Sequence, residues 1–385
     1  MSQLVRLGDH TTRIGSGQTP SGGESSYLPT GIALIRSQNV LMGSFSKEGL
    51  AFISDAIDGS MSGSRVQRSD ILLNITGASI GRVCVVPDDI CPANVSQHVC
   101  IIRCEATLDP NYVAAVLASP SFQKFIWASQ AGGTRQALTK QMIEEFKIPW
   151  RPIGEQRQIA VRLKAQLAEV ETARQAAEDQ LREVGNLAAA IISDSVHNHR
   201  SKQHSLGDVL DEVKQGIGQT WADYPVLGAT RDGLAPAREQ PGKHAPKYKP
   251  VFPGTVFYNP MRILIGSIAY VDEDDTPGIT SPDYVALQGK PGKVDSRWFY
   301  YWLRSPLGAQ CITSLARGAV RERMLFNRLA DGEIELPDFS TQEKASLALK
   351  ELKPLRRTIE NKLAEINLLP QKILAQAFEQ EQEGD

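Results

Sequence analysis

The 385-residue sequence predicts an α+β protein with a pseudo-twofold internal repeat, in which two similar globular domains are joined by two long antiparallel coiled-coil helices. Motifs of the first half recur in the same order in the second half. Each half opens with short apolar runs between turn residues and closes with a Gly-poor segment that has a seven-residue apolar period. These changes in composition predict globular domains at 1–152 and 201–339, and helices at 153–200 and 340–385.

The internal repeat depends on ordered matches rather than on any one motif. Leu7-Gly8-Asp9 recurs as Leu206-Gly207-Asp208, and Gly15-Ser16-Gly17-Gln18-Thr19 recurs as Gly216-Ile217-Gly218-Gln219-Thr220. Later matches, in chain order, pair Asn74 with Asn259, Ser119-Pro120 with Ser305-Pro306, Arg135 with Arg321, and Ile148-Pro149 with Leu336-Pro337. Because the order is kept while the offset changes slowly, the two halves are predicted to share one architecture.

The globular domains begin with strand signals and end with helix signals. Apolar runs at 71–73, 83–86 and 99–102 are short and lie between turn residues, which is typical of buried strands. Around 111–127 and 297–312 the pattern lengthens and favours helices. Strands followed by helices, rather than alternating with them, indicate the α+β class.

The two Gly-poor segments are predicted to be long helices that pack against each other. Ala, Leu, Glu, Gln, Lys and Arg dominate both, and all favour helix. The seven-residue period gives a seam of Leu163, Val170, Ala177, Val184 and Ile191 in the first helix and Leu352, Ile359, Ile366 and Ile373 in the second. The intervening seam positions are predicted to be Leu167, Leu181 and Ala188, then Leu355 and Leu369. Pro370 is expected to kink or end the second helix.

The charge composition is nearly balanced. The chain has 42 Lys and Arg against 44 Asp and Glu, for a net charge of −2, and none of the four predicted segments is strongly basic. Phosphate attraction acts through local charge. Binding to nucleic acid would therefore require basic side chains concentrated on one face.

Targeting and membrane signals are weak. Residues 1–6 lack the basic and apolar segments of a signal peptide, and the most apolar stretch, 263–271, is far shorter than the ~18 residues of a membrane span. We expect a cytoplasmic location and no membrane partner.

The cysteines favour buried thiols over a zinc site. Cys84, Cys91, Cys100 and Cys104 are close in sequence, but structural zinc ligands usually come in pairs two to four residues apart. Here the gaps are mostly wider and fall in segments predicted to be strands. We therefore predict no metal site.

Catalytic motifs are also missing from the sequence. Asn259-Pro260-Met261-Arg262 has one proline and no aromatic residue, so it does not match the motif of adenine methyltransferases. No phosphate-binding P-loop or Gly-x-Ser-x-Gly elbow occurs, and Pro337-Asp338 with Glu343-Lys344 lacks the spacing of a two-carboxylate nuclease site. The chain is predicted to be non-catalytic by itself.

One set of segments runs through the first half in a fixed order. It comprises Leu7-Gly8-Asp9 with Gly15-Ser16-Gly17, the segment 31–40, Ser69-Asp70-Ile71-Leu72-Leu73, Gly132-Gly133-Thr134-Arg135, Ile148-Pro149 and the segment 152–159. The second half is the looser copy, since Gln342-Glu343-Lys344 replaces the expected Glu-Gln pair. Taken in order, these segments resemble a specificity subunit of a type I restriction-modification system, over essentially the whole chain.

The resemblance implies that each globular part is a target recognition domain reading one half of a bipartite site in double-stranded DNA. It implies that the helices set the spacer between the half-sites and dock two methyltransferase subunits. S-adenosylmethionine is expected on those subunits, with no cofactor in this chain. Nuclease/translocase subunits would join the full complex.

Candidate DNA-contacting residues follow from the chemistry of phosphates and base edges. Arg, Lys, Ser and Thr suit phosphates, Arg suits guanine, and Asn or Gln suits adenine. In the first domain the candidates are Arg36, Gln38, Asn39, Arg65, Arg68, Thr134, Arg135 and Lys140. In the second they are Lys243, Lys247, Tyr248, Lys249, Asn259, Arg262, Arg317, Arg321 and Arg323.

Two alternatives remain open from the sequence. One is an interaction scaffold whose globular ends bind proteins or glycans rather than DNA, which the balanced charge favours. The other is the recognition part of a combined restriction-methylation enzyme.

Overall fold

A computed structural model describes residues 3–129, 137–242, 244–316 and 323–378. The chain divides into two compact units. Unit 1 comprises Met1–Gln175 with Ala364–Asp385, and unit 2 comprises Ala176–Leu363. Each contains both sheets and helices, so the predicted α+β class is confirmed.

Unit 1 is built on two four-stranded sheets and one further strand pair. The strands are β1 Leu4–Arg6, β2 Thr11–Ser16, β3 Ile32–Ile35, β4 Ala51–Ile53, β5 Arg65–Val66, β6 Ile71–Asn74, β7 Val83–Val85, β8 Ala93–Val95, β9 Val99–Cys104 and β10 Lys147–Pro149. The order in the first sheet is β2-β9-β6-β7, all antiparallel, and in the second it is β4-β3-β8-β5, where β3 and β8 are parallel. β1 pairs with β10. The helices are α1 Asp55–Ser60, α2 Pro110–Ala118, α3 Pro120–Ala128 and α4 Lys140–Glu144.

Unit 2 repeats the first of these sheets. The strands are β11 Ser201–Ser205, β12 Leu210–Glu212, β13 Leu227–Thr230, β14 Gly233–Pro236, β15 Lys249–Val251, β16 Val256–Tyr258, β17 Ile268–Tyr270, β18 Gly278–Thr280, β19 Val285–Gly289 and β20 Glu333–Pro337. The repeated sheet has the order β12-β19-β16-β17, and the remaining strands form the pairs β11–β20, β13–β14 and β15–β18. The helices of its globular part are α6 Leu206–Val209, α7 Ser296–Arg304, α8 Pro306–Leu315 and α9 Phe326–Ala330.

The continuous apolar runs arise because the repeated sheet is covered on both faces. In β6, Ile71 and Leu73 pack in the helix-side core, whereas Leu72 packs in the core shared with the second sheet. In β16, Val256 and Tyr258 join the helix-side core and Phe257 joins the other one. A strand buried on both faces has no polar alternation, so its sequence reads as an unbroken apolar run.

Local capping fixes where the paired helices of each unit begin. Asp109 accepts backbone hydrogen bonds at the start of α2, and Asp295 does so at the start of α7. Ser119 and Ser305 cap the following helices, each with proline at the first helical position. These Asp and Ser-Pro signals recur in the two units because each unit turns the chain in the same way.

The long helices are α5 Ile153–His197 and α10 Phe339–Phe378. In unit 1, Ala160 and Leu163 of α5 share a core with Ile373 and Leu374 of α10. In unit 2, the later part of α5 shares a core with the early part of α10, including Leu349. Within each unit the two segments therefore meet in antiparallel order.

The predicted seam positions have little solvent exposure. Leu163, Ala177, Leu352, Ile359 and Ile366 are buried, and Val170, Val184, Ile191 and Ile373 are partly buried. Two intervening positions predicted for α10 are wrong, because Leu355 and Leu369 are exposed. Arg356, Leu363 and Pro370 are partly buried instead. The intervening residue lies four positions after each seam residue of α10, rather than three.

Pro370 does not end α10, which continues to Phe378. Proline removes one backbone hydrogen bond, but Ile373, Leu374 and Phe378 beyond it pack into the core of unit 1. This packing maintains the helix. The predicted four-part division of the chain stays a prediction, since each compact unit takes a part of both long helices.

Candidate nucleic-acid interface

In unit 1, the ends of three strands form one edge, here called the unit 1 loop edge and comprising 36–40, 74–79 and 96–98. Asn74, the last residue of β6, donates from Nδ2 to the Ser37 carbonyl oxygen at 2.8 Å. The Ser96 amide donates to the carbonyl oxygen of Ile35, the last residue of β3, at 2.9 Å. These bonds hold three polar loops side by side at one end of the sheets.

The candidates Arg36, Gln38 and Asn39 all lie at this edge but differ in availability. Arg36 is partly buried, donates to the Gly49 carbonyl oxygen at 2.7 Å, and lies 5.3 Å from the ring centre of Tyr27. Gln38 is exposed and donates to the same carbonyl at 3.2 Å.

Asn39 is fully buried, and its side chain holds the turn together. Its Oδ1 accepts from the Arg36 amide at 3.0 Å, and its Nδ2 donates to the carbonyls of Ser46 and Glu48. In this conformation the amide of Asn39 is used internally, so the geometry favours a structural role. Its contact with DNA stays a prediction.

Three polar side chains at the unit 1 loop edge were missed by sequence reasoning. Thr76 Oγ1 lies 2.6 Å from His98 Nδ1, and Gln97 Nε2 lies 3.3 Å from His98 Nε2. Gln97 and His98 are exposed. The signal that could have found them is their position, immediately beyond the ends of β6 and β9.

The candidates Thr134 and Arg135 lie outside the described residues, but the chain that follows them is fixed at this edge. Ala137 forms a β-bridge with Thr76, and the Leu138 amide donates to the Ile75 carbonyl oxygen at 2.9 Å. The segment carrying both candidates therefore rejoins the described chain beside the residues at the ends of β6 and β9.

The remaining candidates of unit 1 differ in position. Arg68 is exposed and shortly precedes β6, so it lies toward the end of that strand opposite the unit 1 loop edge. Arg65 is exposed in β5, where it pairs with Asn94 of β8, and it donates from Nε to Asp58 Oδ1 at 3.0 Å. Lys140 begins α4 two residues after Leu138, which is bonded to the unit 1 loop edge, and it pairs with Glu144 at 3.5 Å.

Unit 2 has a matching edge at the ends of β16 and β19, here called the unit 2 loop edge and comprising 259–267, 281–284 and 323–324. Asn259 Oδ1 accepts from the Met261 amide at 2.9 Å, which closes a turn around Pro260. Arg262 on the same loop is exposed. The Met324 amide donates to the Pro260 carbonyl oxygen at 3.1 Å, the counterpart of the Leu138 bond in unit 1.

Arg323 is exposed at this edge and pairs with Asp283 at 3.0 Å. Its neighbours Arg317 and Arg321 lie outside the described residues. The edge therefore brings Asn259, Arg262 and Arg323 together, and Arg323 has an acidic partner in Asp283.

The other candidates of unit 2 lie in the segment 247–249. Lys243 lies outside the described residues. Lys247 is exposed, and the Tyr248 hydroxyl accepts from the Gly242 amide at 3.3 Å. Lys249 is partly buried and donates to the Tyr284 carbonyl oxygen at 2.7 Å. Burial lowers the pKa of Lys249, although Glu212 acts in the opposite direction. Lys249 is thus linked to the unit 2 loop edge through Tyr284.

Acidic neighbours explain how candidate arginines coexist with a balanced charge. Arg36 lies 3.7 Å from Glu24, and Arg65 and Arg323 have the partners named above. The pair of Arg323 with Asp283 is exposed on both sides, and such exposed ion pairs contribute about 0–1 kcal/mol. Exchanging such a carboxylate for a DNA phosphate therefore costs little.

The described part of the chain contains no group of three His, Cys, Asp or Glu side chains that could hold a metal ion. Burial raises the pKa of the Cys84 and Cys100 thiols to about 12, so neither is a thiolate near neutral pH. Among the described helices, none has the length and apolarity needed to cross a membrane.

Comparison with known proteins supports the resemblance found in the sequence. Residues 38–178 match the family model described as the type I restriction modification DNA specificity domain. A segment of 183 residues is 29% identical to the type I restriction enzyme EcoBI specificity subunit of Escherichia coli. That segment covers 46% of this chain but only 37% of the relative, well under two thirds of its length.

Solved structures match over nearly the whole chain and show the fold. A chain from a study of complex assembly and conformational transition of the type I R-M system has a TM-score of 0.66 at 18% identity, with 98% of this chain and 97% of that chain covered. The HsdS subunit of Thermoanaerobacter tengcongensis has a TM-score of 0.51 at 18% identity, and the S subunit from M. genitalium 0.52 at 14%. Each alignment covers 98% of this chain and 96% of the other.

Proposed function

We propose that this chain, which resembles the specificity subunits of type I restriction-modification systems in sequence and fold, is the DNA-recognition subunit of such a complex. Each unit reads one half of a bipartite site in double-stranded DNA through its loop edge. The observation that carries the proposal is that both units present candidate base- and phosphate-contacting side chains at the same strand ends. An internally repeated fold with two divergent edges suits a site with two different halves.

In unit 1 the readers are Arg36 and Gln38 with the segment of Thr134 and Arg135. In unit 2 they are Asn259, Arg262 and Arg323, with the basic loop at 243–249. Asn and Gln amides suit adenine, and arginines suit guanine or phosphate. Arg135 and Arg321 have the added support that the residues following them are anchored by equivalent backbone bonds.

The long helices α5 and α10 set the spacer between the half-sites and dock two methyltransferase subunits. Their seam positions have little exposure in each unit, which suits a stiff paired support. The methyltransferase subunits carry S-adenosylmethionine and the chemistry, and nuclease/translocase subunits complete the complex. The chain itself is non-catalytic and cytoplasmic.

The proposal is tested by footprinting the full chain with its methyltransferase subunit on genomic DNA fragments. The expected result is protection of one bipartite sequence, with two short protected blocks separated by an unread spacer. Protection of one continuous block, or of no sequence, would contradict the proposal.

Salt dependence separates this function from a scaffold that binds proteins or glycans. Each phosphate contact releases a counterion, so the affinity for DNA should fall steeply as salt rises. A glycan complex should show little change over the same range. If instead the chain copurifies as part of one methylating and cleaving polypeptide, it is the recognition portion of a combined enzyme.

A further inference from the structure

The internal repeat allows each position of unit 1 to be compared with its counterpart in unit 2. Ile71 pairs with Val85 in β6 and β7, and Val256 pairs with Tyr270 in β16 and β17. By the same comparison, α2 of unit 1 corresponds to α7 of unit 2, and the start of α5 corresponds to the start of α10. One region, between the end of β7 or β17 and the two helices, has opposite chemistry in the two units.

In unit 2 this region is filled by charged groups. Arg297 on α7 is buried and donates to Asp272 Oδ1 at 2.5 Å and to Ser346 Oγ on α10 at 3.2 Å. Lys350 on α10 pairs with Glu273 at 2.6 Å.

Aromatic rings complete the filling in unit 2. The ring centres of Tyr270 and Tyr300 lie 5.7 Å apart, and those of Tyr300 and Tyr301 lie 5.0 Å apart. The guanidinium of Arg297 lies 5.8 Å from the ring centre of Tyr270.

In unit 1 the counterparts of these large side chains are small or apolar. Ala114 and Ala115 stand where Tyr300 and Tyr301 stand in unit 2. Asn111, Val85, Pro87 and Ala160 stand where unit 2 has Arg297, Tyr270, Asp272 and Ser346. Leu167 stands where unit 2 has Lys353, which pairs with Asp275 at 2.8 Å. All of these unit 1 residues line an open cleft of about 1100 Å³.

Two charged positions of the unit 2 network are also charged at the rim of this cleft, but the two side chains do not pair with each other. Lys164 is the counterpart of Lys350, and Asp88 is the counterpart of Glu273. Both line the cleft and are exposed, and neither forms an ion pair with another residue in the described ranges. Lys124 adds a second positive charge to the lining, so the described lining carries two cations against one anion.

The cleft also has an exposed apolar border. Trp127 is 49% exposed and Met42 is 45% exposed, and both line it. A half-exposed tryptophan beside an apolar cleft is a common feature of protein interaction sites. The cleft is large and open compared with the 300–1,000 Å³ of typical enclosed small-molecule sites.

We propose that this cleft of unit 1 seats a protein segment that carries an aromatic side chain beside a carboxylate. The aromatic group packs over Ala114 and Ala115, as the rings of Tyr300 and Tyr301 occupy the corresponding space in unit 2. The carboxylate pairs with Lys164, as Glu273 pairs with Lys350. The cations of the lining favour this acidic segment over a basic one.

The inference rests on the proposed function for the identity of the protein that carries the segment, the methyltransferase subunit. Since unit 2 fills the same space with its own side chains, only one of the two docking sites gains this contact. The two methyltransferase copies therefore bind with unequal affinity, and the copy on unit 1 binds more tightly.

The test titrates methyltransferase subunits into the full chain and resolves the two steps by native mass spectrometry. The wild type should bind two copies with dissociation constants that differ at least tenfold. The double variant Ala114→Tyr with Ala115→Tyr copies unit 2 and should weaken the tighter step at least tenfold. Ala128→Tyr adds one tyrosine at an exposed position of α3 outside the cleft and should leave both steps unchanged.

A second variant does not depend on packing inside the cleft. Lys164→Glu reverses the exposed rim charge and should weaken the tighter step, whereas Lys164→Arg should retain it. Equal affinities for the two copies in the wild type would overturn the inference. So would a tighter step that is unchanged in both the double tyrosine variant and Lys164→Glu. In either case the binding of two copies would still uphold the proposed docking. Failure of the wild type to bind any methyltransferase would overturn the proposed docking and this occupant together.

Discussion

Gln156 and Gln342 make the same three hydrogen bonds at the start of the two long helices. Gln156 Oε1 accepts from the Asp109 amide at 2.9 Å, and its Nε2 donates to the carbonyls of Thr107 and Arg151. Gln342 Oε1 accepts from the Asp295 amide at 3.0 Å, and its Nε2 donates to two carbonyls in the equivalent places. Both side chains are fully buried. Each glutamine therefore fastens a long helix to the turn before the first paired helix of its own unit.

Replacing either glutamine should destabilise its own unit. Gln156→Ala or Gln342→Ala removes the partner of one amide and two carbonyls that are at least partly buried, at a cost of about 1–3 kcal/mol. Urea denaturation measures the loss. Gln166→Ala on the exposed surface of α5 is the matched control and should change stability by less than about 0.5 kcal/mol. Equal effects of Gln156→Ala and Gln166→Ala would contradict this role.

The ion pair of Asp272 with Arg297 should make unit 2 sensitive to acid. Burial alone would raise the pKa of Asp272, but hydrogen bonds from Arg297 and from the Glu273 amide lower it below the ordinary 3.8. The stabilisation is therefore fully present above about pH 3.8 and is lost as the pH falls through the lower folded-state value.

Asp272→Asn should cost about 3–5 kcal/mol at pH 7, because Arg297 is left buried without its anion. The difference from wild type should shrink as the pH at which unfolding is measured falls below about 3.8, toward the lowered folded-state pKa at which the wild-type carboxylate is also protonated. Asp274→Asn, an exposed change in the same loop, is the control and should have little effect at either pH. A pH-independent difference would contradict the role of the Asp272 charge.

Gln97 at the unit 1 loop edge should contribute to base discrimination. Its exposed amide can form a bidentate contact with adenine, and such a contact discriminates by about 1–3 kcal/mol. Gln97→Ala should therefore relax the preference at one base of one half-site in a competition binding assay. Gln67→Ala, an exposed glutamine near the opposite end of β6, should leave the preference unchanged. Loss of preference at both half-sites, or at neither, would argue against direct reading by Gln97.

Removing the acidic partner of Arg323 should strengthen binding to DNA. Asp283→Ala deletes one negative charge at the unit 2 loop edge and frees the guanidinium for a phosphate. The affinity should rise, and the slope of log affinity against log salt should steepen by roughly one unit. A decrease in affinity would mean that Asp283 positions Arg323 rather than competing with DNA for it.

The sequence predicts the α+β class, the internal repeat and the principal seam because each of these depends on local periodicity or ordered motifs. It does not predict that the Asn39 side chain forms its hydrogen bonds within the chain, because these bonds depend on the carbonyls of residues 46 and 48 lying next to it. The choice of Arg356 over Leu355 at the intervening seam position likewise depends on how α10 is rotated. The rotation of α10 about its own axis decides which side chain faces the other helix. Arg356 is therefore partly buried where Leu355 was expected to be.

The matches at the helix starts show a similar limit. The offset that matches Ile148-Pro149 with Leu336-Pro337 would pair Glu155 with Glu343, whereas the hydrogen bonds make Gln156 the counterpart of Gln342. The cleft of unit 1 was not foreseen either. Its lining comes from separate elements, and small residues such as Ala114 and Ala115 have no signal of their own until the counterpart positions in unit 2 are known.

The central claim is that each unit reads its own half of a split DNA site. It is tested most directly by replacing residues 1–152 with the same domain of a related chain and mapping adenine methylation in cells that also express the methyltransferase subunit. The account predicts that one half of the methylated sequence changes while the other half and the spacer length stay the same. A change in both halves, or in neither, would contradict it.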